Sequence, residues 1–166
     1  EELDAAERSA GVQLFKHRAQ YAQGDFQLTA ENIPAVSTIC QLMNGLPLGI
    51  ELAAAWVYIF TPESIVDLIK QGAAVIPAAE ESQNNSLQAM FGSIWNLLST
   101  SEQQTLQRFS VFQSGFTLYA AQNITGASSF FIAALAEKSL IQRLRPTRYQ
   151  MHELLRQFLA DKLQTN

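Results

Sequence analysis

His152, Glu51, His17 and Cys40 are the residues of this 166-residue chain whose types and surroundings could do chemistry. His152 is the centre of Met151-His152-Glu153, between a strand-like run, "RYQM", and a helix-like run, "ELLRQFLADKL". An imidazole at such a junction can hydrogen-bond locally or present a ring N–H to an anion. Glu51 is a lone acid inside the apolar stretch "GLPLGIELAAAW". A buried unpaired carboxylate is costly, so Glu51 must be exposed, protonated or paired. The nearest candidate partner is Arg18, on the helix that should pack against this one, so a structural Arg18–Glu51 ion pair is expected and a catalytic acid is not. His17, between Lys16 and Arg18, reads as part of a solvated helix face. One cysteine can neither close an intrachain disulfide nor build a cysteine metal cluster, so Cys40 reads as a small core residue and no metal site is expected.

Missing motifs narrow the chemistry further. The sequence holds no G-x-x-x-x-G-K-[ST], no G-x-S-x-G and no H-E-x-x-H. It therefore has no phosphate-cradling P-loop, no serine nucleophile elbow and no zinc-protease helix. With polar chemistry this sparse, no catalytic residue is expected and the chain is not expected to be an enzyme by itself. Apolar residues make up 48% and charged residues 16%, the balance of a globular chain with ample core material. The longest apolar run, "LAAAWVYIF", is about half of what a bilayer-spanning helix needs, so no membrane partner is expected. The opening "EELDAAERSAGVQLF" already reads as amphipathic helix with no leader, as if cut from a longer chain. Nothing points to an oxidising compartment, so a cytoplasmic location is expected.

Charge is uneven along the chain. Residues 1–136 carry 5 basic and 12 acidic side chains, whereas residues 137–166 carry 6 basic and 3 acidic. The basic end gathers Lys138, Arg143, Arg145 and Arg148 into a candidate surface patch.

The elements that must position these groups read as mainly α: a small helical bundle followed by a winged-helix domain with one β-hairpin. Val12, Phe15 and Ala19 recur at helical spacing, and Val36, Ile39, Cys40 and Met43 form a clean apolar stripe. "NGLP" (44–47) is a helix-to-helix hinge, because Gly accepts the left-handed turn that ends one helix and Pro fits the first turn of the next. The helix from Pro47 to about residue 59 is apolar nearly all round, as at the centre of a bundle. Thr61-Pro62-Glu63 starts another helix. Residues 73–85, rich in small residues and amides, have no period and read as a linker between a 1–72 bundle and an 86–166 winged-helix domain. In the second block Leu87, Met90, Phe91, Ile94, Trp95 and Leu98 share one face. Caps are expected at Ser99 or Ser101 and at Thr117. "LIQRL" and "RYQMH" flank "RPT" as a hairpin with a basic tip.

"GLPLGIELAAAW" after an "LFKHRA" helix, then "SIWNLLSTSEQQTLQRFSVFQSGFTLYAA", "LAEKSLIQR" and "YQMHELLRQFLADKL", resemble in order the helical and winged-helix domains of STAND and NB-ARC signalling ATPases of the bacterial transcriptional-regulator type. The resemblance implies a regulatory lid on ATP or ADP held by a P-loop domain elsewhere in the parent chain, with Pro47 near the base and His152 at the β-phosphate. It also implies that the nucleotide state drives domain rotation and oligomerisation of the parent, and that the chain alone binds no nucleotide. Glu153 stands where many members carry Asp. The rival readings are a DNA-binding winged helix, which the basic patch favours, and a plain protein-interaction module. Against DNA contact stands "SSFFIAALAEK", the candidate recognition helix, which offers no Arg, Asn or Gln to base edges.

Overall fold

Short polar side chains set where several helices begin. The hydroxyl of Ser9 accepts from Val12 N, that of Thr117 from Ala120 N and that of Ser128 from Phe131 N. Ser99 makes the full capping box with Glu102, each side chain bonding the other's backbone N–H. The computed structural model describes residues 2–73 and 85–164. Its elements are α1 (Glu2–Glu7), α2 (Ala10–Ala22), α3 (Ile33–Leu42), α4 (Pro47–Ala55), α5 (Pro62–Ala73), α6 (Asn85–Leu97), α7 (Thr100–Arg108), a 3-10 turn (Phe109–Val111), β1 (Phe116–Thr117), α8 (Leu118–Thr125), α9 (Ser129–Glu137), β2 (Ile141–Arg145), β3 (Arg148–Met151) and α10 (Glu153–Gln164). The protein is mainly α, with a small antiparallel sheet. No helix among the described residues is long and apolar enough to cross a membrane.

The chain divides into two compact units, Glu1–Ser93 and Ile94–Asn166. The expected linker lies, but for its end residues, outside the described residues. The division falls inside α6 and not ahead of it. Gly72 of α5 explains part of this: a Cβ there would lie 2.8 Å from the backbone oxygen of Ala89, so the start of α6 packs closely on α5. Ser93 Oγ also donates to Leu68 O at 3.2 Å.

In the first unit the opening helical stretch is broken at Ser9, whose cap starts α2 afresh. Val12, Phe15 and Ala19 of α2 are buried, as are Val36 and Ile39 of α3 and Met43 at its C-cap. α4 is buried from Gly49 to Ala55 apart from half-buried Glu51, as its all-round apolar sequence requires. Cys40, expected in the core, is half-buried beside Gly11, and desolvation pushes its thiol up to about 11, which leaves it a poor nucleophile.

The second unit has the winged-helix order of elements. Its sheet runs β1-β3-β2, with Phe116 opposite Tyr149 and Ile141 opposite Met151. The two-residue strand β1 stands directly ahead of the helix that Thr117 caps, where the sequence offers only a turn and the cap. Phe116 stacks on Phe112 at 4.5 Å and on Tyr149 at 6.2 Å, and meets Phe109 edge-on at 5.4 Å. This aromatic cluster fixes the hairpin to the helices beneath it. Gln107 Nε2 donates to Lys162 O at 3.1 Å, tying α7 to α10.

Candidate functional site

Pro47 sits where local physics puts it. Asn44 and Gly45 take left-handed φ values of 51° and 69°, and Gly45 N donates to Cys40 O at 3.0 Å, closing α3. The chain then turns through Leu46, whose carbonyl accepts from Ile50 N at 3.1 Å, and α4 starts with Pro47 exposed at its first position. Its ring supplies the right φ and lacks the N–H that would otherwise go unpaired there.

His152 starts α10 in a different way. Its carbonyl accepts from Arg156 N at 3.0 Å, and its ring Nδ1 accepts from Leu154 N at 3.2 Å. The imidazole is thus the N-cap of α10. A ring nitrogen that accepts carries no proton, so the neutral ring holds its hydrogen on Nε2. His152 is exposed, and Met151 before it is buried. Sequence reasoning singled out this histidine but not its cap, because imidazole is not among the usual capping groups.

Glu153 follows as the first residue of the helix. Arg156 donates to its two oxygens at 2.6 and 2.7 Å, and Gln157 Nε2 donates at 3.0 Å. These bonds, Arg156 first, hold the exposed carboxyl down at about 2. Arg156 Nη1 also reaches Ser110 O at 3.4 Å. Glu153 is therefore turned along its own helix into an i,i+3 pair, a role the sequence did not show.

For the expected Arg18–Glu51 pair, Arg18 has a contact on its own helix. The guanidinium of Arg18 lies over the ring of Tyr21, 4.8 Å from its centroid. Glu51 is only half-buried, so water can solvate its charge and no partner is obligatory.

The four basic residues of the candidate patch fall into two groups. Lys138 caps the C-terminus of α9 and faces Glu102. The Glu102 carboxyl is lowered first by the backbone N–H and hydroxyl of Ser99, with Lys138 adding a smaller attraction. Arg143, Arg145 and Arg148 stand together and exposed on the β2–β3 wing. Arg143 Nη2 donates to Pro146 O at 2.7 Å, and Arg148 Nη2 to Gly115 O at 3.1 Å. Residues 141–145 and 148–151 pair in register until Arg143, after which a bulge at Leu144 sets Arg145 opposite Arg148. On α9 the exposed side chains are Ser129, Phe130, Ala133 and Glu137, with Phe130 at 90%. No cluster of metal-binding side chains occurs among the described residues.

Comparison with known proteins places the chain beside transcriptional regulators. It is 30% identical over 165 residues to the Mycobacterium tuberculosis protein named "Putative HTH-type transcriptional regulator Rv0890c", covering 92% of this chain and 19% of that protein. The Mycobacterium bovis protein named "Putative HTH-type transcriptional regulator Mb0914c" matches to the same extent. "Uncharacterized protein Mb0918" of Mycobacterium bovis is 28% identical over 166 residues, covering 92% of this chain and 42% of that protein. The chain thus spans a minor part of each relative. No protein-family model and no solved structure matches it.

Proposed function

We propose that this chain is a regulatory, non-catalytic segment of a transcriptional regulator, and that its two units respond to ATP or ADP held by another domain of the same protein. The observation that carries the nucleotide reading is the His152 cap. Nδ1 is engaged with the helix backbone, so the ring is held while its Nε2–H remains a donor suited to a phosphate oxygen. Exposed Pro47 offers a rigid apolar surface of the kind a base can pack against. The names of the relatives support the regulatory part of the reading. In this scheme the ADP-bound parent is closed, and nucleotide exchange shifts the population toward an open, oligomerising state.

The test is ADP release from the parent protein. His152→Asp keeps an acceptor for the cap, since Asp is a strong N-cap, but carries no donor at neutral pH. A hydrogen bond to a charged group contributes about 1.5–3 kcal/mol, so release should quicken by about 10- to 150-fold. Equal release rates would remove His152 from the switch.

A second reading, a DNA-contacting winged helix, is favoured by the exposed arginine wing and by the helix-turn-helix wording in the relatives' names. The face of α9 weighs against base readout through that helix, since Phe130, Ala133 and Glu137 offer no donor pattern to a major groove. Salt-dependent binding to duplex DNA separates the two readings.

A further inference from the structure

We infer that the joined outer faces of α8 and α9 form a self-association surface, whose occupant is a second copy of this chain packed across a two-fold axis. The surface needs no nucleotide and no DNA, so the inference goes beyond both readings above.

Its first sign is an absence of charge. No Asp, Glu, Lys, Arg or His occurs from Phe109 to Ala136. This stretch nevertheless holds large apolar side chains in water: Phe130 is 90% exposed, Tyr119 77% and Ile124 50%. Single exposed apolar residues are ordinary, whereas a cluster on one surface marks an interaction site. Two hydrogen bonds gather these residues. Asn123 Nδ2 donates to Tyr119 O at 2.8 Å, with the two exposed residues one turn apart on α8. Gln122 Nε2 donates to Ser129 Oγ at 2.8 Å, so the start of α9 lies against the last turn of α8, with Ile124 and Phe130 close to the join. On α9, Phe130, Ala133 and Glu137 share the exposed face.

Charge selects the occupant. A two-fold interface sets a patch against itself, so a charged patch repels its own copy. The β2–β3 wing, with Arg143, Arg145 and Arg148, would do so, and the α8–α9 face does not. At the rims of this face the signs are opposite. Arg108 stands by the start of α9, donating to Thr125 O at 3.1 Å, and Glu137 ends the same helix. A two-fold axis near Ala133 runs the two α9 helices antiparallel and brings Arg108 of one copy toward Glu137 of the other. It also lays Phe130 of one copy over the small Ala133 of the other. Aromatic side chains bury about 150–250 Å² each, so Tyr119 and Phe130 with Ile124 and Ala133 supply roughly half of the ~800 Å² per partner of a standard interface. That area suits a weak dimer in the micromolar range.

The experiment is sedimentation equilibrium of the 166-residue chain without nucleotide, from about 1 to 300 µM, the range of a weak interface. The average mass should rise with concentration from one copy toward two and no further. Phe130→Ala should weaken the dimer about 30-fold or more, as for a central aromatic anchor. Ala133→Lys sets like charges together near the axis and should abolish it. Glu137→Arg, facing Arg108, should weaken it a few-fold. All three positions are exposed, so the variants should keep the circular dichroism of the parent sequence. A chain monomeric throughout would overturn the inference and leave both readings above standing. Self-association unchanged by Phe130→Ala and Ala133→Lys would put the interface elsewhere and overturn the α8–α9 face. Mass rising past two copies would replace the two-fold axis with an open, head-to-tail contact. Duplex DNA binding that Phe130→Ala abolishes would give the face to nucleic acid instead.

Discussion

Pro47 and His152 both stand at helix starts, one in each unit, and they are fixed by different physics. Pro47 is held covalently: its ring sets φ, and the left-handed pair Asn44 and Gly45 ahead of it turns the chain. It has nothing to donate. His152 is held by one hydrogen bond to Leu154 N, and its other nitrogen remains a donor. The first arrangement positions a surface; the second positions a hydrogen-bond donor. Side chains that must be both held and chemically available need two functional atoms, which imidazole has and a proline ring lacks.

Substitutions at the two starts sharpen this contrast. The largest effect is expected at the hinge. A Cβ on Gly45 would meet nothing within 4 Å, so Gly45→Ala reports backbone strain alone, at φ 69°. It should destabilise the protein by about 1–2 kcal/mol, read from denaturant unfolding. A neutral result would mean the hinge relaxes into another turn.

At the other start, His152→Ala removes the cap of α10 and should cost about 1 kcal/mol in the isolated chain. His152→Asp should restore most of it. If both variants lose the same stability, Nδ1 is not the cap. Pro47→Ala should cost well under about 1 kcal/mol, because it acts mainly through the entropy of the unfolded chain. A larger loss would mean that the proline ring packs as well as positions.

Glu153 gives the pH-dependent member of the set. Its folded pKa is depressed to about 2 by Arg156 and Gln157, below the ordinary 4.5. The stabilisation it contributes is therefore present above 4.5 and lost as pH falls toward 2. Glu153→Gln should be less stable than the parent sequence at pH 7 and equal to it near pH 2, compared by thermal melts. A difference that persists at pH 2 would come from packing and not from charge. The smallest effect is expected for Arg18 and Glu51: in a double-mutant cycle with Arg18→Ala and Glu51→Gln, their coupling should stay within about 0.5 kcal/mol, because Glu51 is half-buried and solvated charges couple weakly. Coupling above 1 kcal/mol would restore the ion pair.

The sequence by itself determined the elements that depend on a few neighbouring residues. The caps at Ser99 and Thr117, the Gly45-Pro47 hinge, the buried stripes of α2 and α3, and the hairpin around Pro146 could all be read from spacing and residue type. Each is governed by bonds or contacts within about four residues, a range over which local rules apply. Tertiary structure decided the rest. Whether an acid inside an apolar helix needs a partner depends on helix rotation and exposure, and Glu51 is half-buried, whereas the Glu153–Arg156 pair is local, an i,i+3 contact on one helix. The strand β1 exists because Phe116 and Thr117 meet β3 from about thirty residues away in sequence. The bulge at Leu144 moved Arg145 from facing Thr147 to facing Arg148. A one-residue shift in register is invisible in a run of alternating residues, since it is set by the packing of both strands on the core and not by either strand alone.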